Sequence, residues 1–334
     1  MTLVNAQCRL AARPVGLPKA SDWDYVEEPA PEPADGQFLV ELQYISLDPA
    51  MRGWMNDVRS YIPPVGIGEV MRAAAIGRVA ESRHPDYEVG ELVTGAFGVQ
   101  RYAISDGSGV TRVDTSLAAP PVYLGTLGLS GLTAYFGLLD IGRPEPGQTV
   151  VVSGAAGSVG NIVGQIARIK GCRAVGIAGG AEKCRWLVDE LGFDAAIDYK
   201  AGDLRSQLRE HAPDRVDVFF DNVGGEILDT VLLRLARGAR VVISGAISQY
   251  NATEPPAGPA NYLQLLVMRA SMTGFVIFDF AKRYGEAIAE LGGWLRSGEL
   301  RSREHVVQGD IRQFPEVLLG LFRGENTGKL VLAV

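Results

Sequence analysis

A glycine-rich turn between residues 150 and 160 has the residue types and the spacing that bind a diphosphate. Its glycines stand three residues apart in the run Val150-Val151-Val152-Ser153-Gly154-Ala155-Ala156-Gly157-Ser158-Val159-Gly160. The apolar residues before the turn predict a strand and residues 159–170 predict a helix, whose N-terminal amides would face an anion. A second predicted strand follows at 174–177, and this context favours a dinucleotide site over a purely structural turn.

The end of the second predicted strand indicates which dinucleotide is bound. A cofactor with free ribose hydroxyls usually meets Asp or Glu about 20 residues beyond the glycines, but here the chain has Gly179 and Gly180. Lys183 follows in the first turn of the next predicted helix, where the helix dipole disfavours an ammonium group unless an anion neutralises it. A 2′-phosphate would be such an anion, so we predict NADPH. The alternative is that Lys183 and Arg185 are solvated surface residues.

The histidine and cysteine content disfavours metal and covalent catalysis. These residues have neither metal-ligand spacing nor a nucleophile-and-base grouping; they are Cys8, His84, Cys172, Cys184, His211 and His305. We expect His84 in a surface loop, and Cys172 and Cys184 as small buried apolar residues. No bound metal is predicted.

Length and composition exclude several other classes of protein. With 334 residues, 47% of them hydrophobic and 21% charged, the chain is long enough for two globular domains. Acidic residues outnumber basic ones by 39 to 32, for a net charge of −7, which disfavours nucleic acid and anionic membranes as partners. Because neither a signal peptide nor an apolar run of roughly 20 residues is evident, we predict a cytoplasmic protein.

The pattern of apolar and polar residues changes near residue 125, and this change predicts two kinds of domain. Up to that point short alternating runs predict strands, as at 38–44 and 76–80, between loops rich in Pro and Gly. Beyond it, apolar runs alternate with helical stretches such as 182–191, which indicates a parallel sheet with crossover helices. We predict a β-rich domain at 1–125, completed by about 300–334, and a nucleotide-binding domain at 126–299.

Motifs spread over nearly the whole chain resemble those of one oxidoreductase family. In chain order they are Ser46-Leu47-Asp48-Pro49-Ala50-Met51-Arg52-Gly53, Ser60-Tyr61-Ile62-Pro63-Pro64, Gly131–Leu138, Gly154–Gly160, Ala178–Cys184, Asp221-Asn222-Val223-Gly224-Gly225, Ile247–Glu254 and Glu325-Asn326-Thr327-Gly328-Lys329. The chain thereby resembles the zinc-independent medium-chain dehydrogenase/reductases, in the group of NADPH-dependent double-bond reductases. Within that group it is most similar to the bacterial curcumin-reductase branch.

The resemblance implies an α/β fold, in which a Rossmann doubly wound parallel sheet accompanies a β-rich GroES-like domain. It also implies NADPH, a small-molecule enal or enone as substrate, and a homodimer. By resemblance, Gly157, Ser158, Val159 and Gly160 cover the pyrophosphate, Lys183 and Tyr199 hold the 2′-phosphate, and Asn222 approaches the adenosine side. The nicotinamide half would be lined by Thr133, Ser244, Gly245, Ile247, Ser248, Tyr250, Phe275, Val276, Ile277 and Asn326.

Reduction of an activated C=C bond needs a hydride at the β-carbon, stabilisation of the developing enolate and a proton for the α-carbon. A tyrosine phenol, with an ordinary pKa of about 10, can donate a hydrogen bond to the enolate at neutral pH. Tyr250 is the candidate for this catalytic role. The alternative is that Tyr250 packs against the nicotinamide ribose, whose 2′-hydroxyl and water then manage the proton. By resemblance Tyr61 lines the same pocket, as a wall.

One residue departs from the family pattern. The family usually carries tyrosine where this chain has Ala50, so we expect a roomier substrate pocket or a different substrate. Near it, Asp48 and Arg52 are expected to pair as scaffolding. An NADPH-dependent quinone reductase is the alternative enzyme, and a nucleotide-binding protein without catalysis is the non-enzymatic hypothesis.

Overall fold

The structure is a computed structural model that describes residues 3–334. Its strands are β1 (Val4–Leu10), β2 (Trp23–Pro29), β3 (Phe38–Ser46), β4 (Ala75–Ser82), β5 (Leu92–Gly95), β6 (Tyr102–Ser105), β7 (Thr111–Arg112), β8 (Thr149–Ser153), β9 (Arg173–Ala178), β10 (Ala195–Asp198), β11 (Val216–Asp221), β12 (Leu235–Ile243), β13 (Ser271–Gly274), β14 (Glu304–Gln308) and β15 (Lys329–Ala333). Its α-helices are α1 (Ala50–Trp54), α2 (Leu129–Phe136), α3 (Ser158–Ile169), α4 (Ala181–Arg185), α5 (Leu204–His211), α6 (Gly225–Leu232), α7 (Leu263–Met268), α8 (Tyr284–Ser297) and α9 (Phe314–Arg323).

The chain forms two compact units. The first contains the chain up to Leu124 together with Glu304–Val334, and the second contains Gly125–Arg303. The C-terminal segment lies in the first unit because β15 pairs there, parallel with β14 and antiparallel with β3.

The first unit is built on a mostly antiparallel sheet. Its strand order is β14-β15-β3-β4-β5-β7, with β6 also pairing with β3, and β1 and β2 form a separate antiparallel pair. β3 lies at the centre, and Phe38, Leu42 and Ile45 on it are fully buried. They belong to one apolar cluster with Phe314 of α9, so the returning C-terminal segment completes the core of this unit as well as its sheet.

The second unit is built on a six-stranded parallel sheet. Its order is β10-β9-β8-β11-β12-β13, and every neighbouring pair is parallel. β8 is buried at all five positions, as a continuous apolar run in a sheet covered on both faces should be. This order is that of a doubly wound Rossmann sheet, so the predicted sheet architecture is confirmed.

Some predicted elements differ in detail. The helix predicted over 182–191 is the short α4 followed by a π-helical turn, Trp186–Glu190. The helix predicted over 159–170 is α3, on which Gly164 faces Phe193 so closely that a Cβ there would lie 1.9 Å from the ring. No helix formed by residues 3–334 is long and apolar enough to cross a membrane.

Candidate cofactor and active site

One edge of the second unit's sheet carries most of the predicted cofactor residues. The six strands are parallel, so their carboxyl ends lie at the same edge. There β8 leads to Gly157–Gly160, β9 to Lys183, β10 to Tyr199, β11 to Asn222, β12 to Ser244, Gly245, Ile247, Ser248 and Tyr250, and β13 to Phe275, Val276 and Ile277. The strand order reverses between β8 and β11, and such a switch point is where ligands bind in doubly wound sheets.

The turn between β8 and α3 has a backbone that only glycines allow. Gly154 has a φ of 58°, in the left-handed region that favours glycine. At Gly160 a Cβ would lie 2.4 Å from the carbonyl oxygen of Gly154 and 2.8 Å from Cα of Ala155. Gly157 caps α3 without a side-chain hydrogen bond, and the first N–H groups of a helix have no intrahelical acceptors. The turn therefore fits the pyrophosphate of a dinucleotide.

Two lysines lie at the turn after β9, where an acid is usual: Lys183 follows the turn on α4, and Lys200 approaches it from the end of β10. Gly180 has a φ of 102°. A Cβ at Gly179 would lie 2.9 Å from both the hydroxyl oxygen of Tyr199 and Cε of Lys200. Burial, followed by the positive charge of Lys200, lowers the pKa of Lys183. This arrangement of cations fits a ribose 2′-phosphate.

Asp198, at the end of β10, holds these two turns together. Its Oδ1 accepts hydrogen bonds from the amide of Gly180 (2.8 Å) and from that of Lys200 (3.0 Å). Neither Asp198 nor Lys200 was predicted from the sequence, because β10 has only four residues and was not predicted as a strand. Their position directly after apolar residues 195–197 was the only available signal.

A buried carboxylate, Asp221, organises the turn after β11. Its Oδ1 accepts hydrogen bonds from the hydroxyl of Ser153 (2.6 Å) and the amide of Val223 (3.0 Å), and both of its oxygens lie 3.1 Å from the amide of Gly224. Burial raises the pKa of Asp221, and these hydrogen bonds oppose the rise. Asn222 Nδ2 donates to the carbonyl of Ser153, so the ends of β8 and β11 are joined. Asp221 belongs to the motif at residues 221–225, but its sequence position alone predicts no role for it.

The segment after β12 is fixed to the same turn through its backbone. Ser244 N and Gly245 N donate to Asp221 O, Ile247 N donates to Asn222 O, and Ser248 N donates to Val223 O. The hydroxyl of Ser248 also donates to the carbonyl of Val223, at 2.6 Å. These contacts place residues 244–248 beside the β11 turn.

Tyr250 turns back onto this segment. Its hydroxyl oxygen accepts a hydrogen bond from the amide of Ala246 at 3.1 Å. Gly245 makes room for it, because a Cβ there would lie 2.8 Å from that oxygen. Next to it, the buried Oδ1 of Asn251 has no hydrogen-bond partner among the described residues. The hydroxyl oxygen of Tyr250 is thus fixed in position by an accepted hydrogen bond.

Two further residues predicted to bind the cofactor, Phe275 and Thr133, make contacts within this unit. The ring of Phe275 packs edge-on to Phe220 and Phe280, with centroids 6.4 Å apart in each case. Thr133, on α2, donates its hydroxyl hydrogen to the carbonyl of Leu129 in the same helix.

The remaining predicted site residues lie in the first unit. Ala50 begins α1 and is half-buried. Tyr61 is 54% exposed, and its hydroxyl accepts a hydrogen bond from Nε1 of Trp54 at 3.2 Å. Asn326 donates from Nδ2 to the carbonyl of Gly328 at 2.8 Å.

Comparison with known proteins decides the family. Family models match residues 6–113, as the N-terminal domain of oxidoreductase, and residues 158–292, as zinc-binding dehydrogenase. The NADPH-dependent curcumin reductase of Escherichia coli (strain K12) is 43% identical over 335 residues, which cover 99% of this chain and 97% of that protein. The chain belongs to the medium-chain dehydrogenase/reductase family. The recognition made from the sequence motifs is confirmed.

Other members of the medium-chain family support the same assignment. The NADP(+)-dependent 2-alkenal reductase of Nicotiana tabacum is 35% identical over 337 residues, which cover 99% of this chain and 97% of that protein. The crystal structure of CurA from Vibrio vulnificus in complex with NADPH is 46% identical, with a TM-score of 0.94 over 98% of this chain and 99% of that chain. The prediction of a Rossmann domain with a GroES-like domain is confirmed at the level of fold class.

The family model that matches residues 158–292 is named for zinc-binding dehydrogenases, but that name does not by itself assign zinc ligands to this chain. Among residues 3–334, no group of three or more His, Cys, Asp or Glu side chains is arranged to hold a metal ion. His84 lies in the loop after β4, as expected, and is half-buried there, with ring contacts to Phe38 and Tyr87. Cys172 is buried as expected, whereas Cys184 is only partly buried.

The expected pair between Asp48 and Arg52 is wrong. Asp48 instead binds Nζ of Lys329 at 2.5 Å, and that lysine is only 2% exposed. Arg52 donates to the carbonyls of Pro14 and Gly16, each at 3.0 Å. The pairing of β15 with β3 brings Lys329 to Asp48, a contact across the chain that the local motif does not reveal.

Proposed function

We propose that this chain is an NADPH-dependent reductase of the C=C bond of α,β-unsaturated aldehydes and ketones. The observation that carries the proposal is the sheet edge of the second unit, where a glycine turn open to a diphosphate stands beside turns that carry Lys183 and Lys200. The relatives named above reduce curcumin and 2-alkenals with the same cofactor. Both kinds of substrate have a C=C bond conjugated to a carbonyl group.

Different residues of the sheet edge would bind different parts of the cofactor. Gly157, Ser158, Val159 and Gly160 are proposed to bind the pyrophosphate, Lys183 and Tyr199 the 2′-phosphate, and Asn222 the adenosine side. Residues 244–250 and 275–277, with Thr133 and Asn326, are proposed for the nicotinamide half. The hydrogen bonds that join residues 244–248 to the β11 turn support this assignment. They hold the residues proposed for the nicotinamide half at a fixed position beside Asn222, which is proposed for the adenosine side.

The reaction needs a hydride donor and a group that stabilises the enolate. NADPH, when bound, supplies the hydride that adds to the β-carbon of the substrate. The hydroxyl of Tyr250 would donate a hydrogen bond to the enolate oxygen, and the amide of Ala246 stabilises the charge that develops on the phenol oxygen. The alternative, in which Tyr250 only packs and the ribose hydroxyl with water moves the proton, stays open. Tyr61 and Ala50 are proposed as walls of the substrate pocket.

We also propose a homodimer, formed through the β13 edge of the sheet. β13 is the last strand of the sheet, and its Ser271, Thr273 and Gly274 are exposed. Beside it along the chain, α7 exposes Leu266 (76%) and Val267 (53%). An open strand edge next to exposed apolar residues is a surface that proteins usually cover. A cytoplasmic location stays a prediction.

Steady-state turnover with a panel of acceptors tests the proposed function. The purified chain, dialysed against a strong chelator, is mixed with NADPH and with enals, enones or quinones, and the products are identified by NMR. We expect saturated aldehydes and ketones that retain the C=O group. Oxidation of NADPH by quinones alone would support the alternative enzyme, and no oxidation with any acceptor would support a nucleotide-binding protein without catalysis.

A further inference from the structure

Two side chains from the end of β10 reach back over the turn that follows β9. The hydroxyl oxygen of Tyr199 and Cε of Lys200 each lie 2.9 Å from the position that a Cβ on Gly179 would occupy. Any residue larger than glycine would push both side chains away. Gly179 therefore allows Tyr199 and Lys200 to lie together against this turn.

The backbone below these side chains is tied in place. Oδ1 of Asp198 accepts from the amide of Lys200 and from the amide of Gly180, so the β10 end and the β9 turn are held to one carboxylate oxygen. Because Lys200 is anchored at its backbone, its side chain starts from a defined point beside Gly179.

Two charged groups at this turn, the ammonium groups of Lys183 and Lys200, repel each other, and Glu182 only partly offsets that repulsion. The ammonium group of Lys200 lies near enough to lower the pKa of Lys183, and no carboxylate among residues 3–334 forms a salt bridge with Lys200. The ring centroid of Tyr199 lies 6.0 Å from Nζ of Lys200, at the outer limit of a cation–π contact. Two lysines that repel each other are stabilised when a doubly charged anion binds between them.

We propose that Lys200 is a further residue that determines cofactor specificity, and that its ammonium group is a second cation for the ribose 2′-phosphate beside Lys183. This inference rests on the proposed assignment of Lys183 and Tyr199 to that phosphate. It adds a residue from a second strand end. The 2′-phosphate of NADPH would then contact ammonium groups from two different strand ends. NADH has no 2′-phosphate and would make neither contact.

Cofactor affinities of matched variants test the inference. The dissociation constants of NADPH and NADH are measured by fluorescence titration of the full chain, and those of 2′,5′-ADP by calorimetry. The variants are Lys200→Gln, Lys200→Arg, Lys183→Gln and, as a control, Arg237→Gln, an exposed cation on β12 away from the carboxyl edge of the sheet. Circular dichroism confirms that each variant is folded.

We expect Lys200→Gln to weaken NADPH and 2′,5′-ADP by about 5- to 30-fold, as for a lost charge-assisted contact at an exposed site, and to leave NADH within about twofold. Lys200→Arg should restore most of the affinity, and the loss should shrink as salt increases.

Three results would overturn the inference. If Lys200→Gln behaves like Arg237→Gln while Lys183→Gln weakens NADPH, Lys200 does not contact the phosphate, although the proposed site stands. If Lys200→Gln weakens NADPH and NADH equally, Lys200 acts through the turn and not on the phosphate. If neither lysine variant affects NADPH selectively, the proposed 2′-phosphate site itself is wrong.

Discussion

The position of the Tyr250 hydroxyl bears directly on how the enolate would be protonated. A phenol oxygen that accepts a backbone amide hydrogen bond is fixed in orientation, and its charge is stabilised when its proton moves toward an acceptor. A purely packing role would not need this hydroxyl, since the ring alone supplies the contact area.

Removing only that hydroxyl separates the two roles. Tyr250→Phe should lower kcat for an enone by roughly 10- to 1000-fold, the effect expected for one oxyanion donor or acid. The dissociation constant of NADPH should hardly change, because the ring remains. Stopped-flow kinetics and fluorescence titration measure the two quantities. Near-normal kcat in Tyr250→Phe, together with a raised KM in Tyr250→Ala, would make the residue a packing element.

The charge on Lys183 predicts how cofactor preference depends on pH. Burial and Lys200 lower the pKa of Lys183, and Glu182 partly offsets them. A lowered ammonium pKa means that the charge is lost at lower pH than in an ordinary lysine. The preference for NADPH over NADH should therefore fall as pH rises through this lowered pKa.

A variant shows whether Lys200 has this effect. Lys200→Gln removes one cause of the lowered pKa, so the alkaline loss of NADPH preference should move to higher pH, although affinity is weaker throughout. Dissociation constants measured between about pH 7 and 11, where the 2′-phosphate stays a dianion, test this. A pH profile that does not move would show that the two ammonium groups do not interact.

At the scale of elements, the turn between β8 and α3 depends on close backbone packing. A Cβ on Gly160 would overlap backbone atoms of Gly154 and Ala155, which cannot move aside as a flexible side chain could. Gly160→Ala should therefore cost about 1–3 kcal/mol in the free energy of unfolding, as overpacking does. It should also weaken NADPH and NADH together, because the pyrophosphate is common to both.

Gly293→Ala provides the matched control. Gly293 lies inside α8, and no atom lies within 4 Å of its added Cβ, so the change should be neutral or stabilise by about 0.5–1 kcal/mol. Urea denaturation of both variants checks the pair. Equal stability and cofactor affinity in Gly160→Ala and wild type would show that the turn relaxes more easily than its geometry indicates.

Elements with long apolar runs were predictable from the sequence, and short ones were not. β8 and β9 are largely apolar, buried strands of the parallel sheet, and their bounds agree with the predicted segments to within one residue. β10 has only four residues, three of them apolar, and β13 is largely exposed, so neither has a hydrophobic pattern long enough to predict a strand. Asp198 and Lys200 were missed for that reason.

Contacts between segments that lie far apart in the sequence could not be predicted either. Lys329 reaches Asp48 only because β15 pairs with β3. Asp221 gains its role from amides that converge on it after the β11 turn closes. The residues that the resemblance assigns to the cofactor lie at the expected strand ends, but their roles in binding remain predictions.

At the scale of the whole molecule, the open β13 edge predicts the oligomeric state. Light scattering after size-exclusion chromatography should give twice the chain mass for the wild type. Leu266→Asp places a charge on the exposed face of α7 and should shift the mass toward one chain while circular dichroism stays unchanged. A wild-type mass of one chain, or a dimer unaffected by Leu266→Asp, would contradict an interface that includes this face.

The central claim is hydride transfer to the β-carbon of an enone, and isotope labelling tests it most directly. The chain is incubated with an enone and NADPH that carries two deuterium atoms at C4 of the nicotinamide, in ordinary water, and the product is examined by NMR. We expect a saturated ketone with one deuterium at the β-carbon and a solvent proton at the α-carbon. Deuterium at the carbonyl carbon of an allylic alcohol, or an unlabelled product, would contradict it.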